Sequence, residues 1–363
     1  MATKPKKKPA ADAPKTSKTT KGTSGKTVNL ALQGGGSHGA FAWGVLDYLL
    51  EDGRLEFEGI SATSAGAMNA AVLAQGLLHG NKKEARELLT HFWHEISAAG
   101  DRFSPFKSLP QLPWMPAQQE FSLEESPLFQ LADFMTRVFS PYQLNPMNFN
   151  PLKDILEQVV DFDAIRKQCK IKLHICATNV ETCKVRIFET RELSSQAVLA
   201  SACLPFMFQS VEIDGEYYWD GGYIGNPAIF PLIYNCNSQD VVIVHINPIV
   251  RRGVPTSASD ILNRLNEVSF NSSLMREMRA IAFVAKLISD GKVKEGDMKN
   301  MHIHSIRSDE EMAHHGASSK MNTDWKFLCH LRDEGRKVAK IWLDENFDKV
   351  GVDSSIDIRK EFM

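Results

Sequence analysis

Hydrophobic residues follow two alternating patterns along the chain: short apolar runs, and longer segments with apolar positions three or four residues apart. The first run, residues 27–33, is typical of a buried parallel strand. Helical spacing follows over residues 40–50, and Gly53 marks the helix end. A second strand at 55–60 precedes a second helix at 67–78. This order of elements predicts a parallel sheet with right-handed crossovers.

The rest of the chain continues this pattern. It predicts further strands, including a hairpin with Asp214-Gly215 as its turn, and several helices. The predicted strands lie at 171–179, 184–189, 211–219 and 241–246, and the predicted helices at 81–97, 194–202, 257–289 and 323–347. We therefore expect an α/β fold of three layers, α/β/α, with a central, mainly parallel sheet and a helical C-terminal extension.

Composition divides the chain into parts. Residues 1–26 contain no aromatic residue and no large aliphatic one, so we expect a disordered basic tail. The main domain is expected over 27–235, and 236–363 should supply a final core strand and helices packed on it. Within the main domain, about 101–151 holds eight of the 16 prolines and nine aromatic residues. We interpret this insertion as a cap beside the functional site, with ordinary peripheral packing as the alternative.

Charge is distributed unevenly. The formal net charge is −2, yet residues 1–26 carry eight lysines and one acid, which leaves 34 basic and 43 acidic residues elsewhere. The tail is either a solvated segment or an electrostatic arm toward an anionic membrane or nucleic acid. The net charge of −2 argues against nucleic-acid binding by the whole molecule, and no aromatic residue stands among the tail lysines to stack on bases. No apolar run approaches about 18 residues and no signal peptide is visible, so we expect a cytoplasmic location, with membrane contact only at the periphery.

Ser64 is the first candidate for chemistry. It lies in Ala62-Thr63-Ser64-Ala65-Gly66, directly after a predicted strand and before a predicted helix, which is the setting of a nucleophile elbow. Such a turn strains the serine backbone and needs small residues two positions before and after it. Gly66 meets this need, and Ala62 stands where the pattern has Gly. The same turn also fits a serine that only caps a helix.

A glycine-rich loop follows the first strand. It consists of Gly34, Gly35, Gly36, Ser37, His38 and Gly39. Consecutive glycine N–H groups can approach a ligand closely, so the loop predicts either an oxyanion hole or a phosphate site. Residues 34–39 also match G-x-G-x-x-G, with Glu58 about 20 residues further on, as in dinucleotide-binding proteins. That interpretation leaves Ser64 unexplained.

Asp220 is the third candidate. It lies in Trp219-Asp220-Gly221-Gly222, at the end of a predicted strand and the start of a glycine turn. The motif fits a simple turn. It also offers a carboxylate with little steric cover, which can act as a general base toward a serine hydroxyl within hydrogen-bond reach.

Together, the glycine loop, a serine about 30 residues later and the distant Asp-Gly-Gly resemble the patatin-like phospholipase family over residues 27–235. The resemblance implies a patatin-like catalytic domain, a Ser–Asp dyad and hydrolysis of lipid acyl esters through an acyl-enzyme, without metal or organic cofactor. It implies that Ser64 is the nucleophile and Asp220 the base. It also places Gly34, Gly35, Gly36 and Ser37 in the oxyanion loop.

The sequence departs from the family pattern at two positions. The family usually writes the loop G-G-G-x-R-G, and here His38 stands in place of the arginine; Ala62 replaces the first glycine of the elbow. His38 is an auxiliary candidate, either as a third catalytic group or as an anion-binding group when protonated. A Ser-His-Asp hydrolase is a competing interpretation, with candidate histidines at His302, His304, His314 and His315. The resemblance to bacterial members continues over 263–279, for which it implies no role.

Three classes of function remain at this point. A lipid acyl hydrolase accounts for all three motifs. A catalytically idle lipid- or granule-binding protein of the same fold accounts for the departures at positions 38 and 62. A dinucleotide-binding oxidoreductase accounts for the glycine loop alone. The hydrolase implies a lipid or phospholipid substrate, and a homodimer through the long C-terminal helices is a further hypothesis.

Overall fold

A computed structural model describes residues 25–103, 127–294 and 296–363 of the chain. The strands are β1 (Lys26–Leu32), β2 (Leu55–Ala62), β3 (Lys172–Asn179), β4 (Val185–Glu189), β5 (Val211–Ile213), β6 (Glu216–Asp220), β7 (Asp240–Val244) and β8 (His302–Ile306). Within the described residues they form one sheet in the order β5-β6-β3-β2-β1-β7-β8, with β4 paired to β3. The pairs among β3, β2, β1, β7 and β8 are parallel, and β4, β5 and β6 add antiparallel pairs at one side.

Helices cover both faces of the sheet. They are α1 (Gly39–Asp52), α2 (Ala65–Gly76), α3 (Lys82–Phe103), α4 (Pro127–Val138), α5 (Pro141–Leu144), α6 (Pro151–Val159), α7 (Phe162–Gln168), α8 (Ser195–Ser201), α9 (Phe230–Asn235), α10 (Ala258–Ser289), α11 (Asp309–Ala313), α12 (Trp325–Asn346) and α13 (Ile358–Phe362). Short 3-10 turns at Gly36–His38, Gly221–Tyr223 and Ser318–Met321 shape the loops near one edge of the sheet. No helix in the described part of the chain is both long and apolar enough to cross a bilayer.

Alternate residues of the central strands enter two separate apolar clusters. Leu30 and Val242 belong to the cluster that includes α1, α2 and α12. Ala31 and Val241 belong to the second cluster, with side chains of α9 and α10. Because strand side chains alternate between faces, β1 is buried on both sides, as its continuous apolar sequence predicts. The three-layer α/β/α architecture with a mainly parallel sheet is confirmed.

The region after residue 235 is built into this core. It supplies β7, which the sequence predicts, and also β8, which the sequence does not predict. Helix α12 packs closely on α1, since a Cβ at Gly44 would lie 1.9 Å from the Arg332 carbonyl oxygen, and one at Gly335 would lie 2.1 Å from that of Phe41. Such close approach of two helix backbones requires glycine at the crossing.

Only part of the insertion at 101–151 is described. Its described residues form the end of α3, then α4 and α5, and lead into α6. Three of its nine aromatic residues lie outside the described residues: Phe106, Trp114 and Phe121. The expected cap therefore stays a prediction, as does the disordered tail, of which residues 1–24 lie outside the described part.

The sheet brings the sequence motifs to one edge. Strands β1 and β2 are parallel neighbours that end in register, with Leu32 opposite Ala62. The glycine loop follows β1 and the Ser64 turn follows β2, so both leave the sheet at the carboxyl ends of their strands. Loops at these ends are where open α/β sheets form their ligand sites.

Candidate active site

Ser64 occupies the turn between β2 and α2. Its backbone has φ 56° and ψ −124°, and a positive φ is costly for a residue that carries a Cβ. The Thr63 N–H donates to the Leu32 carbonyl oxygen at 3.2 Å, and the Gly66 N–H donates to that of Thr63 at 2.9 Å. The Ser64 N–H donates to Ser201 Oγ, on α8, at 2.9 Å. The strained turn that the sequence predicts is present. The sequence does not predict its hydrogen bond to the Ser201 side chain.

Small residues around the elbow allow α2 to approach the sheet. A Cβ at Gly66 would lie 2.5 Å from the Leu32 carbonyl oxygen, closer than real Cβ atoms come. Ala62 is fully buried at the end of β2. Glycine is therefore required two residues after Ser64, whereas alanine fits two residues before it.

Asp220 ends β6 and begins the Gly221–Tyr223 turn. Its N–H donates to the Cys203 carbonyl oxygen at 2.8 Å, and its Oδ1 accepts the Gly222 N–H at 2.7 Å. A Cβ at Gly222 would lie 2.4 Å from the ring of Phe270, so this turn has no room for a side chain there. The carboxyl is fully buried, and its Oδ2 accepts no hydrogen bond from the described residues within ordinary geometry.

Burial raises the pKa of Asp220 to about 6. The Gly222 N–H, the Ser64 hydroxyl and the Lys320 ammonium act in the opposite direction and favour the charged form of the carboxyl. The structure thus brings the Ser64 hydroxyl and the Asp220 carboxyl together, although 156 positions separate them in the sequence. A carboxyl with such a pKa in this place can accept a proton near neutral pH.

Some N–H groups of the glycine loop donate hydrogen bonds to described residues, and others do not. The Gly34 N–H donates to Asn226 Oδ1 at 2.6 Å, so it is not available to a ligand. Across the described part of the chain, the N–H groups of Gly35, Gly36 and Ser37 donate to no other group. Gly36 has φ 59°, which glycine adopts without strain. The loop therefore retains donors for an anion beyond Gly34.

Two buried asparagines hold the glycine loop, and the sequence did not indicate either. Asn226 binds the Gly34 N–H, and Asn247 Nδ2 donates to the Gly34 carbonyl oxygen at 2.9 Å. The Asn226 N–H is itself fixed by Ser273 Oγ at 3.1 Å. No local pattern marks such residues, because each is joined to the loop only through the fold.

His38 is turned toward the C-terminal region. Its Nε2 lies 2.7 Å from Ser319 Oγ, and its ring is tilted against that of His315 and meets that of Phe327 edge-on. Burial, the Lys320 ammonium and His315 lower the pKa of His38 well below its usual value. The imidazole is therefore neutral at physiological pH and brings no positive charge to the loop.

The other candidate histidines have partners of their own. His302 and His304 lie on β8, and both face Asp240, the first residue of β7, at 3.4 and 2.9 Å. That carboxylate is at the amino end of its strand, opposite the edge that carries Ser64. These two histidines do not form a triad with Ser64 and Asp220.

Glu58 does not fit a dinucleotide site. It lies within β2, and its carboxylate accepts the N–H groups of Asn237 and Ser238 and pairs with Lys172 at 2.9 Å. In a dinucleotide site the corresponding acid binds the ribose beside the glycine loop. Here it joins β2 to the segment before β7.

One group of side chains has the composition of a metal site. Ligand atoms of Glu311, His315 and His330 all lie within 4.8 Å of one another. Glu311 Oε1 is 2.7 Å from His330 Nε2 and 3.2 Å from His315 Nε2, so the carboxylate already serves as the hydrogen-bond acceptor of both rings. The cluster is explained by these bonds, and we assign it no ion.

Two solved structures that match this chain come from bacterial proteins. VipD from Legionella pneumophila is 15% identical with a TM-score of 0.41, and the match covers 88% of this chain and 67% of VipD. ExoU of Pseudomonas aeruginosa, solved in a complex with SpcU from its type III secretion system, is 16% identical with a TM-score of 0.39. That match covers 90% of this chain and 53% of ExoU, so the chain spans about half the length of ExoU.

No curated protein matches the chain in sequence. A family model described as patatin-like phospholipase matches residues 30–233. The matched range is more than half of the chain and includes the glycine loop, the Ser64 turn and Asp220. This chain belongs to the patatin-like phospholipase family.

Proposed function

We propose that this protein is a lipid acyl hydrolase that uses Ser64 as nucleophile and Asp220 as general base. One observation carries the proposal: the Ser64 hydroxyl, on a strained turn, meets a buried carboxyl whose pKa is raised to about 6. Membership of the patatin-like phospholipase family supports a carboxylic ester of a lipid as the substrate.

The reaction proceeds in two halves. Ser64 Oγ attacks the ester carbonyl carbon, and its proton passes to Asp220. Collapse of the tetrahedral intermediate breaks the ester C–O bond, and the leaving alcohol takes the proton from Asp220. Water, deprotonated by Asp220, then attacks the acyl group on Ser64 and releases the fatty acid. The proton then returns to Ser64. The proposed cycle therefore consists of acyl and proton transfers alone.

The glycine loop is the proposed oxyanion site. The N–H groups of Gly35, Gly36 and Ser37 are the candidate donors, because that of Gly34 is bound by Asn226. Donors held in place before the reaction stabilise the negative oxygen without reorganisation, and one such donor contributes about 10²–10³ in rate. Gly34 has a different part in this proposal, since it lets the loop lie directly against the nucleophile.

The described part of the insertion offers a surface for lipid. Phe134 and Met147 in the insertion expose 59% and 91% of their surface, and Phe206, in the loop before β5, exposes 65%. Tyr142 Oη lies 2.8 Å from Ser210 Oγ, which ties the insertion to the loop before β5 and thereby to the neighbourhood of Asp220. Exposed apolar side chains on adjoining segments are a feature of membrane-contact surfaces. The lysines of the N-terminal tail would add attraction to anionic lipid, about 1 kcal/mol each near the surface.

Hydrolysis by the wild type, Ser64→Ala and Asp220→Asn tests the proposal. The substrates are a short p-nitrophenyl ester and mixed phospholipid vesicles, and circular dichroism verifies the fold. We expect both variants to lose about 10³-fold or more in kcat with unchanged spectra, because each removes one half of the dyad. Analysis of the vesicle products identifies the bond that is cut.

Matched controls use residues outside the site. Asp214→Asn changes an exposed acid in the hairpin that leads to Asp220, and Ser289→Ala changes an exposed serine at the end of α10. Both should retain the wild-type rate. A Ser64→Ala variant as active as the wild type contradicts the proposal. A silent wild type whose Ser64 also resists a fluorophosphonate probe would favour the idle lipid-binding protein.

A further inference from the structure

Lys320 lies directly behind the glycine loop, although the two are far apart in sequence. It belongs to the Ser318–Met321 turn, and a Cβ at Gly36 would lie 2.4 Å from the Lys320 carbonyl oxygen. The two backbones are thus in contact, and the lysine is partly buried. The family match ends at residue 233, so this contact comes from the part of the chain beyond it.

The Lys320 ammonium is bound by two neutral amides. Its Nζ donates to Asn247 Oδ1 at 2.9 Å and to Asn266 Oδ1 at 2.6 Å. Asn247 donates in turn to the Gly34 carbonyl oxygen, so a short hydrogen-bonded path joins the ammonium to the loop. Among the residues that the structure describes, Lys320 has no ion-pair partner within 4.0 Å. Its positive charge is therefore not cancelled by direct contact.

Helix α10 forms the wall on which this lysine is held. Asn266, Phe270 and Ser273 follow one another at helical spacing along it. Asn266 binds the Lys320 ammonium, which also lies 5.3 Å from the centre of the Phe270 ring. Phe270 covers Gly222, and Ser273 fixes Asn226. The stretch 263–279, for which the sequence suggested no role, thus supports both active-site loops.

Four titratable groups face Lys320 from the elements around it. Glu267 of α10 is paired with Arg251 at 2.5 Å and Arg264 at 2.8 Å, so its charge is already balanced. His38 and His315 lie on the other side, and burial lowers the pKa of both, which leaves them neutral. Asp220 is the remaining group, and the Lys320 ammonium favours its charged form.

We propose that Lys320 is the electrostatic positioning residue of this site, and that it supplies the positive charge which the family pattern places at the position of His38. From behind the glycine loop, the ammonium favours the ionised carboxylate of Asp220 and the oxyanion that forms on the loop. It acts through these groups and does not touch the substrate. This proposal rests on the proposed function, because it assigns a role in the same reaction.

The protonation state of Lys320 gives the proposal a signature. Burial lowers its pKa to about 8, with Glu267 and Asp220 opposing the shift. Lys320 is therefore mostly protonated at pH 7 and loses its proton as the pH rises through 8. We expect activity to rise with pH as Asp220 ionises and to fall again as Lys320 loses its proton.

Three substitutions separate charge from hydrogen bonding. Lys320→Arg keeps the charge, Lys320→Gln keeps an N–H donor for the asparagines without the charge, and Lys320→Met removes both. We expect the rise of kcat/KM with pH to move up by about one pH unit in the Gln and Met variants, with kcat/KM near pH 6 falling about fivefold. In Lys320→Arg, kcat/KM should rise with pH as in the wild type and should not fall at alkaline pH.

A carboxyl titration measures the same effect without turnover. In protein labelled with ¹³C at aspartate, the NMR chemical shift of the Asp220 carboxyl carbon, followed against pH, gives the pKa of Asp220. The signal is assigned by its absence in Asp220→Asn. We expect that pKa to be higher by about one unit in Lys320→Gln and Lys320→Met than in the wild type and Lys320→Arg. Lys326→Met, which removes an exposed lysine on α12, is the matched control and should leave the titration unchanged.

The outcomes distinguish this proposal from the proposed function. If Ser64→Ala keeps wild-type activity, the hydrolase assignment fails, whatever Lys320 does. If Ser64→Ala is inactive and Lys320→Gln shows the wild-type pH profile and Asp220 titration, the role of Lys320 is overturned and the hydrolase stands. If Lys320→Gln matches Lys320→Arg in kcat/KM and in the pKa of Asp220, the charge has no effect. Lys320 would then only bind Asn247 and Asn266, and the proposal would be overturned. Should Lys320→Met fail to fold, the Gln and Arg pair still decides the question.

Discussion

The Cα of Gly34 stands so close to Ser64 that a Cβ on position 34 would lie 2.5 Å from the Ser64 Cβ and 2.9 Å from the Thr63 carbonyl oxygen. Loop and elbow are thus in direct backbone contact. Gly34→Ala should displace Ser64 from the N–H groups of the glycine loop. We expect kcat to fall at least about 100-fold, as for loss of an oxyanion donor, and the free energy of unfolding to fall by about 1–3 kcal/mol from overpacking.

Gly291→Ala serves as the control for stability alone. Gly291 has φ 66° after α10 and open space around its Cβ position. Alanine there should cost about 1 kcal/mol of stability through backbone strain and leave kcat unchanged. Urea unfolding and ester hydrolysis measure the two effects. A Gly34→Ala enzyme with wild-type kcat would mean that the contact has no part in catalysis.

Asp220 should destabilise the fold at neutral pH. Its pKa in the folded protein is about 6, above the ordinary 3.8, so the folded state binds the proton more tightly than the unfolded state. The cost of its ionisation is fully present above pH 6 and disappears as the pH falls through 4. Asp220→Asn should therefore raise the free energy of unfolding by about 2–3 kcal/mol at pH 8 and by little at pH 4.

Denaturant unfolding at the two pH values checks this prediction. The Asn side chain can still accept the Gly222 N–H, so the variant tests the charge and not the hydrogen bond. Asp214→Asn, in the exposed hairpin turn, should show no such pH-dependent gain. Equal stability of wild type and Asp220→Asn at pH 8 would contradict the raised pKa.

Ser201 should act on catalysis through the backbone of Ser64. Its Oγ accepts the Ser64 N–H at 2.9 Å inside the protein. Ser201→Ala leaves that N–H without a partner, which costs about 1–3 kcal/mol. We expect kcat to fall about tenfold or more, with little change in KM, because Ser64 is displaced while the proposed lipid-binding surface is unchanged. Steady-state kinetics on a short ester measure both constants.

The same helix provides the control for Ser201. Ser195 begins α8, and its Oγ donates to Glu157 at the surface at 2.7 Å. Ser195→Ala should keep wild-type kcat and KM. Equal kinetics for Ser201→Ala and wild type would show that the elbow keeps its geometry without this bond.

His38 should be dispensable as an acid or base. It is buried, hydrogen-bonded to Ser319, and neutral because its pKa is lowered. Glutamine can keep a bond to Ser319, so His38→Gln should retain most of kcat and the same pH profile between pH 6 and 8. The kcat/KM profile of the variant measures this. Loss of a titration step in His38→Gln would instead favour the histidine as a third catalytic group.

The local sequence determined most of the helices and strands. It also determined where two of the three motifs, the glycine loop and the Ser64 turn, lie in the fold. Apolar periodicity predicted β1, α1, β2 and the long helices α10 and α12, because burial of one face or two depends on residues close in the chain. Since parallel neighbours end at one edge, the order of β1 and β2 already placed the glycine loop beside Ser64. The sequence does not predict the strand at His302–Ile306, because polar residues interrupt its apolar pattern; one of them, His304, is buried with its Nε2 2.9 Å from Asp240 Oδ1.

Tertiary structure alone decided what surrounds Ser64. Ser201 supports its backbone, Asn226 and Asn247 hold the glycine loop, and Lys320 brings a charge from the opposite end of the chain. Polar side chains of this kind carry no periodicity, and a hydrogen bond or a field depends on distance in space and on local burial. The raised pKa of Asp220 has the same origin, since desolvation is a property of the packed protein and not of the Asp-Gly-Gly motif.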